Sequence, residues 1–161
     1  MRHCRMSANT QSLTGSATIT IDRPVAEVFA AVSDISRMGE WSPECVACRW
    51  AEGVDGPAVG ATFSGDNVAK AGPITLKKWT TTSEVTTYEP NAVFEFVAEG
   101  YTTWRYEFES RGGSTVVTES FSFPPPTGVQ KFLYETVMRR SAGMVKGMDA
   151  TLERIKTALE A

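Results

Sequence analysis

One carboxylate on a predicted strand has the clearest potential for acid–base chemistry. Alternating apolar residues predict a strand over Thr115 to Phe123, and Glu119 shares its parity with Val117 and Phe121. That parity places Glu119 on the inner face, where an apolar cavity would raise the pKa of its carboxyl and suit it to act as a general acid or base. A bulge, a register slip or a pairing arginine near the rim would make the residue structural instead. Both interpretations stay open.

Other inward positions combine a few polar groups with many rings. Polar side chains on inner faces can orient a ligand hydroxyl or carbonyl, or equally satisfy backbone groups at strand irregularities. Aromatic residues at regular spacing are core by default, and a hollow core would turn part of them into pocket lining. The candidate ligand-binding residues are Trp41, Phe63, Asn67, Trp79, Ser83, Phe96, Trp104, Tyr106, Phe121, Tyr134 and Met138.

Two further patterns argue against redox, triad and metal chemistry. Cys45 and Cys48 have the spacing of a redox motif, but such a motif favours a helix N-terminus. This pair starts a predicted strand, where residues three apart face opposite sides, so we expect no redox or metal role. The sole histidine, His3, lies in the polar start of the chain, so we expect no Ser-His-Asp triad. The sequence contains no Walker loop, no Rossmann glycine pattern and no plausible cluster of metal ligands, so we expect no metal and no cofactor.

A long C-terminal helix must organise the elements that carry these residues. After Pro124, Pro125 and Pro126, apolar residues recur at helical spacing from about Thr127 to the end of the chain. We expect its first part, Tyr134 to Val145, to border a cavity, because its stripe is mixed and adaptable. The regular stripe of Met148 to Leu159 should pack solidly.

The remaining chain reads as one strand, two short helices and six more strands joined by short turns. The fold class is therefore α+β, with an antiparallel sheet folded against the long helix. The 161 residues suit one domain, which we expect to span residues 16–161 behind a disordered tail at residues 1–15.

Charge and hydropathy limit the partners. The net charge of −3 argues against nucleic acid, and no apolar run reaches the roughly 18–20 residues of a membrane span. We therefore expect no integral membrane association. The chain start lacks an apolar signal-peptide core, and three cysteines without an export signal fit a cytoplasmic location.

Short motifs in a fixed order then resemble the START-like, polyketide cyclase/dehydrase superfamily, which shares its fold with the birch pollen allergen. The resemblance covers about Ser16 to Glu160. Its motifs are Asp22 to Phe29, Val32 to Asp34, Arg37 to Pro43, Val59 to Phe63, Glu89-Pro90 and Thr103 to Tyr106.

This resemblance implies a helix-grip fold: a seven-stranded antiparallel sheet curled around the C-terminal helix, two short helices closing one end, and an apolar cavity between sheet and helix. It implies no universal catalytic residue. We expect a protein that binds a hydrophobic small molecule such as a lipid, a polyketide or another aromatic. One alternative is a cyclase or dehydratase without metal or nucleotide cofactor, using Glu119 as acid or base with Tyr106 or Asn67 polarising a carbonyl. Another is an interaction module, for example a homodimer.

Overall fold

The structure, a computed structural model, describes the backbone of residues 13–124 and 131–161 and the side chains of residues 14–124 and 142–161. Within these residues, seven strands and three helices follow one another, with a short 3-10 turn at Ile35–Arg37 before the second helix. In chain order they are β1 (Leu13–Ile21), α1 (Val25–Ser33), α2 (Met38–Trp41), β2 (Cys45–Trp50), β3 (Thr62–Ala71), β4 (Ile74–Glu89), β5 (Val93–Ala98), β6 (Thr102–Arg111), β7 (Ser114–Phe123) and α3 (Lys131–Glu160).

The strands form one antiparallel sheet in the order β1-β7-β6-β5-β4-β3-β2. From β2 to β7 each strand pairs with its successor, and β1 closes the series on β7. This arrangement confirms the predicted α+β helix-grip fold. Register matters most in the middle of β7, where Glu119 lies opposite Tyr106 of β6 and Ala17 of β1.

The first strand is longer than the sequence pattern predicted. Its pairing with β7 begins at Leu13, opposite Phe123, rather than at Ser16. The polar residues Thr14 and Gly15 broke the alternation on which the prediction rested, yet their backbone still joins the ladder. Residues 13–15 therefore belong to the sheet and not to a tail, while residues 1–12 lie outside the described part of the chain.

At one end of the sheet, α1 closes the core. Phe29 packs against Phe108 and Tyr88, with ring centroids 5.1 and 5.4 Å apart. Val28 and Ile35 are fully buried beside them. Together these side chains fill the space between the helix and the strands, so this end of the molecule is solid.

The C-terminal half of α3 lies beside β1 and the chain that follows it. Lys156 Nζ donates to the carbonyl of Thr20 at 2.8 Å, and Arg23 Nε donates to the carbonyl of Leu159 at 2.6 Å. On its inner side the helix buries Leu152 and Ile155. No helix among the described residues is both long enough and apolar enough to cross a membrane.

Candidate functional site

A cavity of about 660 Å³ lies between the sheet and α3 at the end away from α1. Its walls combine rings and aliphatic groups with a few polar side chains. Buried lining residues come from the strands and from α3: Cys45, Cys48, Phe63, Ser83, Phe96, Tyr106, Glu119, Met144, Met148 and Thr151. Exposed lining residues, such as Lys70, Glu99 and Tyr101, mark its mouth.

Glu119 is the buried carboxylate of this wall. It is 3% exposed, and the hydroxyl of Tyr106 donates to its Oε1 at 2.8 Å. Its Oε2 has no hydrogen-bond partner among the residues that the structure describes. Burial raises the pKa of Glu119 to about 8, the hydrogen bond from Tyr106 acts in the opposite direction, and the charge of Asp149 adds to the rise. At neutral pH the carboxyl is therefore mainly protonated.

Tyr106 shares this environment. Its pKa lies well above the ordinary value because it is buried and because Glu119 lies beside it. Near neutral pH both groups are therefore protonated: the phenol keeps the proton that it donates to Oε1, and the Glu119 carboxyl keeps its own. A carboxyl in this state can donate a hydrogen bond or a proton through Oε2, and as a carboxylate it can accept one. The arrangement can consequently hold, or protonate, a ligand oxygen.

In a second polar region of the wall, the Asn67 side chain already has hydrogen-bond partners within the sheet. Asn67 Nδ2 donates to the carbonyl of Gly65 at 3.0 Å and to Thr81 Oγ1 at 3.2 Å. These two hydrogen bonds tie Asn67 to β3 and β4, and a role in orienting a ligand stays a prediction. Ser83 is 3% exposed and lies deeper in the same wall.

Aromatic rings form much of the apolar wall. Phe63 and Phe96 meet edge to face with ring centroids 5.1 Å apart. Trp79 lies near the mouth, with Lys77 Nζ 5.3 Å from its ring centroid. Trp104 also lines the cavity and rests on Phe121 at 5.8 Å between ring centroids. These rings offer a ligand broad apolar contact rather than a set of polar anchors.

The family model described as polyketide cyclase/dehydrase and lipid transport matches residues 12–160. The chain belongs to this family. The resemblance seen in the sequence motifs is thus confirmed, and with it the kind of fold. No curated protein matches the sequence.

Solved structures of the same fold agree with this assignment. A solution structure of a Polyketide_cyc-like protein from Corynebacterium glutamicum is 39% identical, with 93% of each chain covered and a TM-score of 0.65. The di-domain ARO/CYC protein BexL from the BE-7585A biosynthetic pathway is 20% identical with a TM-score of 0.73. That match covers 96% of this chain and 52% of BexL, so the chain spans about half of the di-domain protein. At this identity the likeness to BexL shows the fold alone.

Within this polyketide cyclase/dehydrase fold, most of the predicted site residues meet at one cavity. The residues that line it are Phe63, Asn67, Trp79, Ser83, Phe96, Trp104, Tyr106 and Glu119. They come from five strands, and the sequence had grouped them from the parity of each strand together with the family resemblance. Whether they bind a ligand stays a prediction. Tyr134 and Met138 lie outside the side chains that the structure describes.

Two predicted lining residues, Trp41 and Phe121, lie in the core outside this lining. Trp41 is 2% exposed, its carbonyl accepts from Arg154 at 3.3 Å, and Arg37 lies 4.9 Å from its ring centroid. It therefore joins α2 to α3. Phe121 packs between Trp104 and Phe123, and Gly15 leaves room for its ring: a Cβ at Gly15 would lie 2.6 Å from it. Its inward parity was right, but of the two cross-strand partners Trp104 and Phe121 only Trp104 lines the cavity.

The sequence also missed lining residues on both sides of the cavity. On α3, Met144 lies in the stretch that was expected to border the cavity, whereas Met148 and Thr151 also line it although that part of the helix was expected to pack solidly. On β2, both Cys45 and Cys48 line the cavity. The expectation that the two cysteines face opposite sides was wrong, because a β-bulge between Cys45 and Ala47 shifts the register by one residue. Such a bulge leaves no signal in the alternation of this short strand.

Proposed function

We propose that this protein binds a largely apolar small molecule in the cavity, with one ligand oxygen hydrogen-bonded to Glu119. The cavity of about 660 Å³ supports this proposal most directly. It lies within the roughly 300–1,000 Å³ of ordinary ligand pockets, which combine apolar walls with a few placed polar groups. Glu119 and Tyr106 supply those polar groups here.

The charges around the cavity favour a neutral ligand. Among its described lining residues, Lys70 is the sole cation, and it is exposed at the mouth. Inside, Glu119 is a protonated acid near neutral pH. A ligand carboxylate placed there would lose its hydration without gaining a cation. A hydroxyl or carbonyl would instead match the carboxyl, so we expect a neutral lipid, polyketide or other aromatic molecule.

A fluorescent-dye displacement experiment on the full chain tests this binding. Aminonaphthalene-type dyes should bind the wild-type protein, and neutral polycyclic phenols or ketones should displace them better than fatty acids do. Met144→Trp adds volume to the cavity wall and should abolish dye binding. Leu76→Ala changes an exposed residue outside the lining and is the matched control. Equal dye binding by both variants would place the dye elsewhere and remove the support for the cavity as a binding site.

A second candidate function is acid–base catalysis of cyclisation with dehydration, favoured by one observation. Glu119 combines near-complete burial, an Oε2 with no hydrogen-bond partner in the described part of the chain, and a pKa of about 8. Such a carboxyl could protonate a departing hydroxyl, and the resulting carboxylate could accept a proton from the adjacent carbon. The carbon–oxygen bond would break, water would leave, a double bond would form and the carboxyl would be restored.

Glu119→Gln separates the two functions. Glutamine keeps the size of the side chain and an acceptor for the Tyr106 hydroxyl, but it cannot transfer a proton. If the protein only binds, the variant should hold dye and neutral ligands nearly as well as wild type. If it also catalyses, water loss from a model aromatic β-hydroxyketone should fall by roughly 10²–10⁴-fold, the usual scale of acid–base assistance. Water loss by wild type no faster than in buffer would leave binding as the function.

A further inference from the structure

The bulge in β2 brings two thiols together in the cavity wall. Cys45 Sγ and Cys48 Sγ lie 2.9 Å apart, and both residues are buried free cysteines. Between them Val46 turns outward and is 50% exposed. An unbulged strand would have placed the two thiols on opposite faces of the sheet.

Neighbouring backbone holds this geometry. Gly65 of β3 lies opposite Cys48, and a Cβ there would lie 3.2 Å from Cys48 Sγ and 3.3 Å from Cys45 Sγ. The missing side chain therefore leaves the space that the two sulfurs occupy. On the other side, Gly39 of α2 lies so close to the carbonyl of Val46 that any side chain at Gly39 would collide with it. The bulge is thus held between α2 and β3.

We propose that Cys45 and Cys48 form a reversible dithiol–disulfide site in the cavity wall, oxidised by hydrogen peroxide or an organic hydroperoxide. The Cys45 thiolate attacks a peroxide oxygen, the O–O bond breaks, and a sulfenic acid forms on Cys45. The departing hydroxide or alkoxide takes up the proton that the Cys45 thiol had released and leaves as water or an alcohol. Cys48 sulfur then attacks Cys45 sulfur, the S–O bond breaks, and the departing hydroxide takes the Cys48 proton as water. The dithiol gives up two electrons and the peroxide receives them.

Cys45 is the attacking thiol. A hydrogen bond from Cys48 lowers the pKa of Cys45, although burial acts in the opposite direction. The pKa of Cys48 is raised, first by its hydrogen bond to Cys45 and then by burial. Asp66 and Glu44 oppose the Cys45 thiolate from outside the pair, while Arg49 favours a charge on Cys48. These opposite pKa shifts favour Cys45 as the thiol that reacts first and Cys48 as the one that resolves the product, while the disulfide itself rests on the contact of 2.9 Å between the two sulfurs.

Alkylation after oxidation tests the site, with Cys4→Ser as the background so that the pair supplies the only thiols. Folded protein is treated with hydrogen peroxide, quenched with catalase, alkylated and digested with trypsin. Both cysteines lie between Arg37 and Arg49, hence on one peptide. That peptide should lose two hydrogens and both alkylation sites, and dithiothreitol should restore them. Added to the Cys4→Ser chain, Cys48→Ser should give a protein in which oxidation of Cys45 ends at the sulfenic acid. Cys45→Ser should instead give a protein that resists oxidation.

The same chain unfolded in urea is the control for an accidental Cys-x-x-Cys sequence. The folded protein should form the disulfide roughly tenfold faster, since the fold already holds the sulfurs in contact and lowers the pKa of Cys45. Equal rates in the two states would overturn the proposal. So would sulfinic acid on Cys45 beside a free Cys48, or disulfides that form only between chains. None of these outcomes depends on ligand binding, so the dithiol site and the proposed function fail or stand separately.

Discussion

Two regions of one sheet, built from the same strands, differ in whether they are filled. Under α1, Ile21, Val117 and Ile155 have no exposed surface, and Phe29 fills the space against Phe108. Two residues further along the same inner faces of β6 and β7, Tyr106 and Glu119 border a hollow. The strands alternate identically in both regions, so the difference arises in the elements that cover them.

The covering elements present different side chains. Over the solid region, α1 and the end of α3 offer phenylalanine and branched aliphatic residues with few rotamers. Over the hollow, α3 offers Gly143, Met144, Gly147 and Met148. Glycine leaves space, and methionine adapts to irregular surfaces without filling them rigidly. A hollow therefore needs no unusual sheet; a helix with small and flexible residues is sufficient.

The largest expected effect comes from truncating the solid region. Leu152 and Met148 are each 1% exposed and lie one turn apart on α3, but only Met148 lines the cavity. Leu152→Ala should lower the free energy of unfolding by about 2–5 kcal/mol, because it opens a new void among packed side chains. Met148→Ala should cost clearly less, because it widens an existing hollow.

Urea unfolding of the two variants checks this difference. Equal losses of stability would show that Met148 is packed as tightly as Leu152 and would remove the contrast between the regions. As an internal control, Met148→Ala should also change the displacement of dye by ligands of different size, whereas Leu152→Ala should not.

A second effect concerns Glu119, the buried acid of the cavity lining. Because burial raises the pKa of Glu119 from 4.5 to about 8, the folded chain keeps a proton that the unfolded chain releases between these values. The contribution of Glu119 to the free energy of unfolding is fully present below pH 4.5. It falls as the pH rises towards 8, by up to about 1.4 kcal/mol per pH unit. Glu119→Gln has no such proton, so the wild type should lose stability relative to the variant across that range.

Thermal or urea unfolding at several pH values measures the difference between the two chains. Contributions of all other titrating groups, including Tyr106 and the cysteine pair, largely cancel in that difference. A gap in stability that does not change with pH would assign Glu119 an ordinary pKa and a hydrated setting.

The sequence predicted one region better than the other for a physical reason. Parity and helical period report which face of an element is covered, and they placed Phe63, Phe96 and Glu119 correctly on the inner face. They do not report how completely the cover fills the space, so Phe121 was grouped with the lining. They also assume a regular ladder, so the bulge that turns Cys45 and Cys48 to the same side had no signal.

The smallest expected effect comes from replacing the glycines of α3, which tests whether they maintain the hollow. A Cβ at Gly147 would meet only Pro43 Cγ, at 3.7 Å, and a Cβ at Gly143 would meet nothing within 4 Å. Packing among the described residues therefore does not require glycine at either position. Since glycine inside a helix costs about 1 kcal/mol relative to alanine, Gly143→Ala and Gly147→Ala should each stabilise the fold by up to about that amount.

Ligand binding then separates the two glycine positions. Gly147 lies between Met144 and Met148 near Pro43, so its new methyl group should narrow the cavity and weaken dye binding, even though the fold gains stability. Gly143 also lines the cavity, but it is exposed at the mouth and a Cβ there would meet nothing within 4 Å, so Gly143→Ala is the comparison variant, with a smaller change in binding expected. If Gly147→Ala gains stability but loses binding, glycine at this position preserves the volume of the cavity at a cost in stability. Unchanged dye binding in Gly147→Ala would contradict that role, and the hollow would then be attributed to Met144 and Met148.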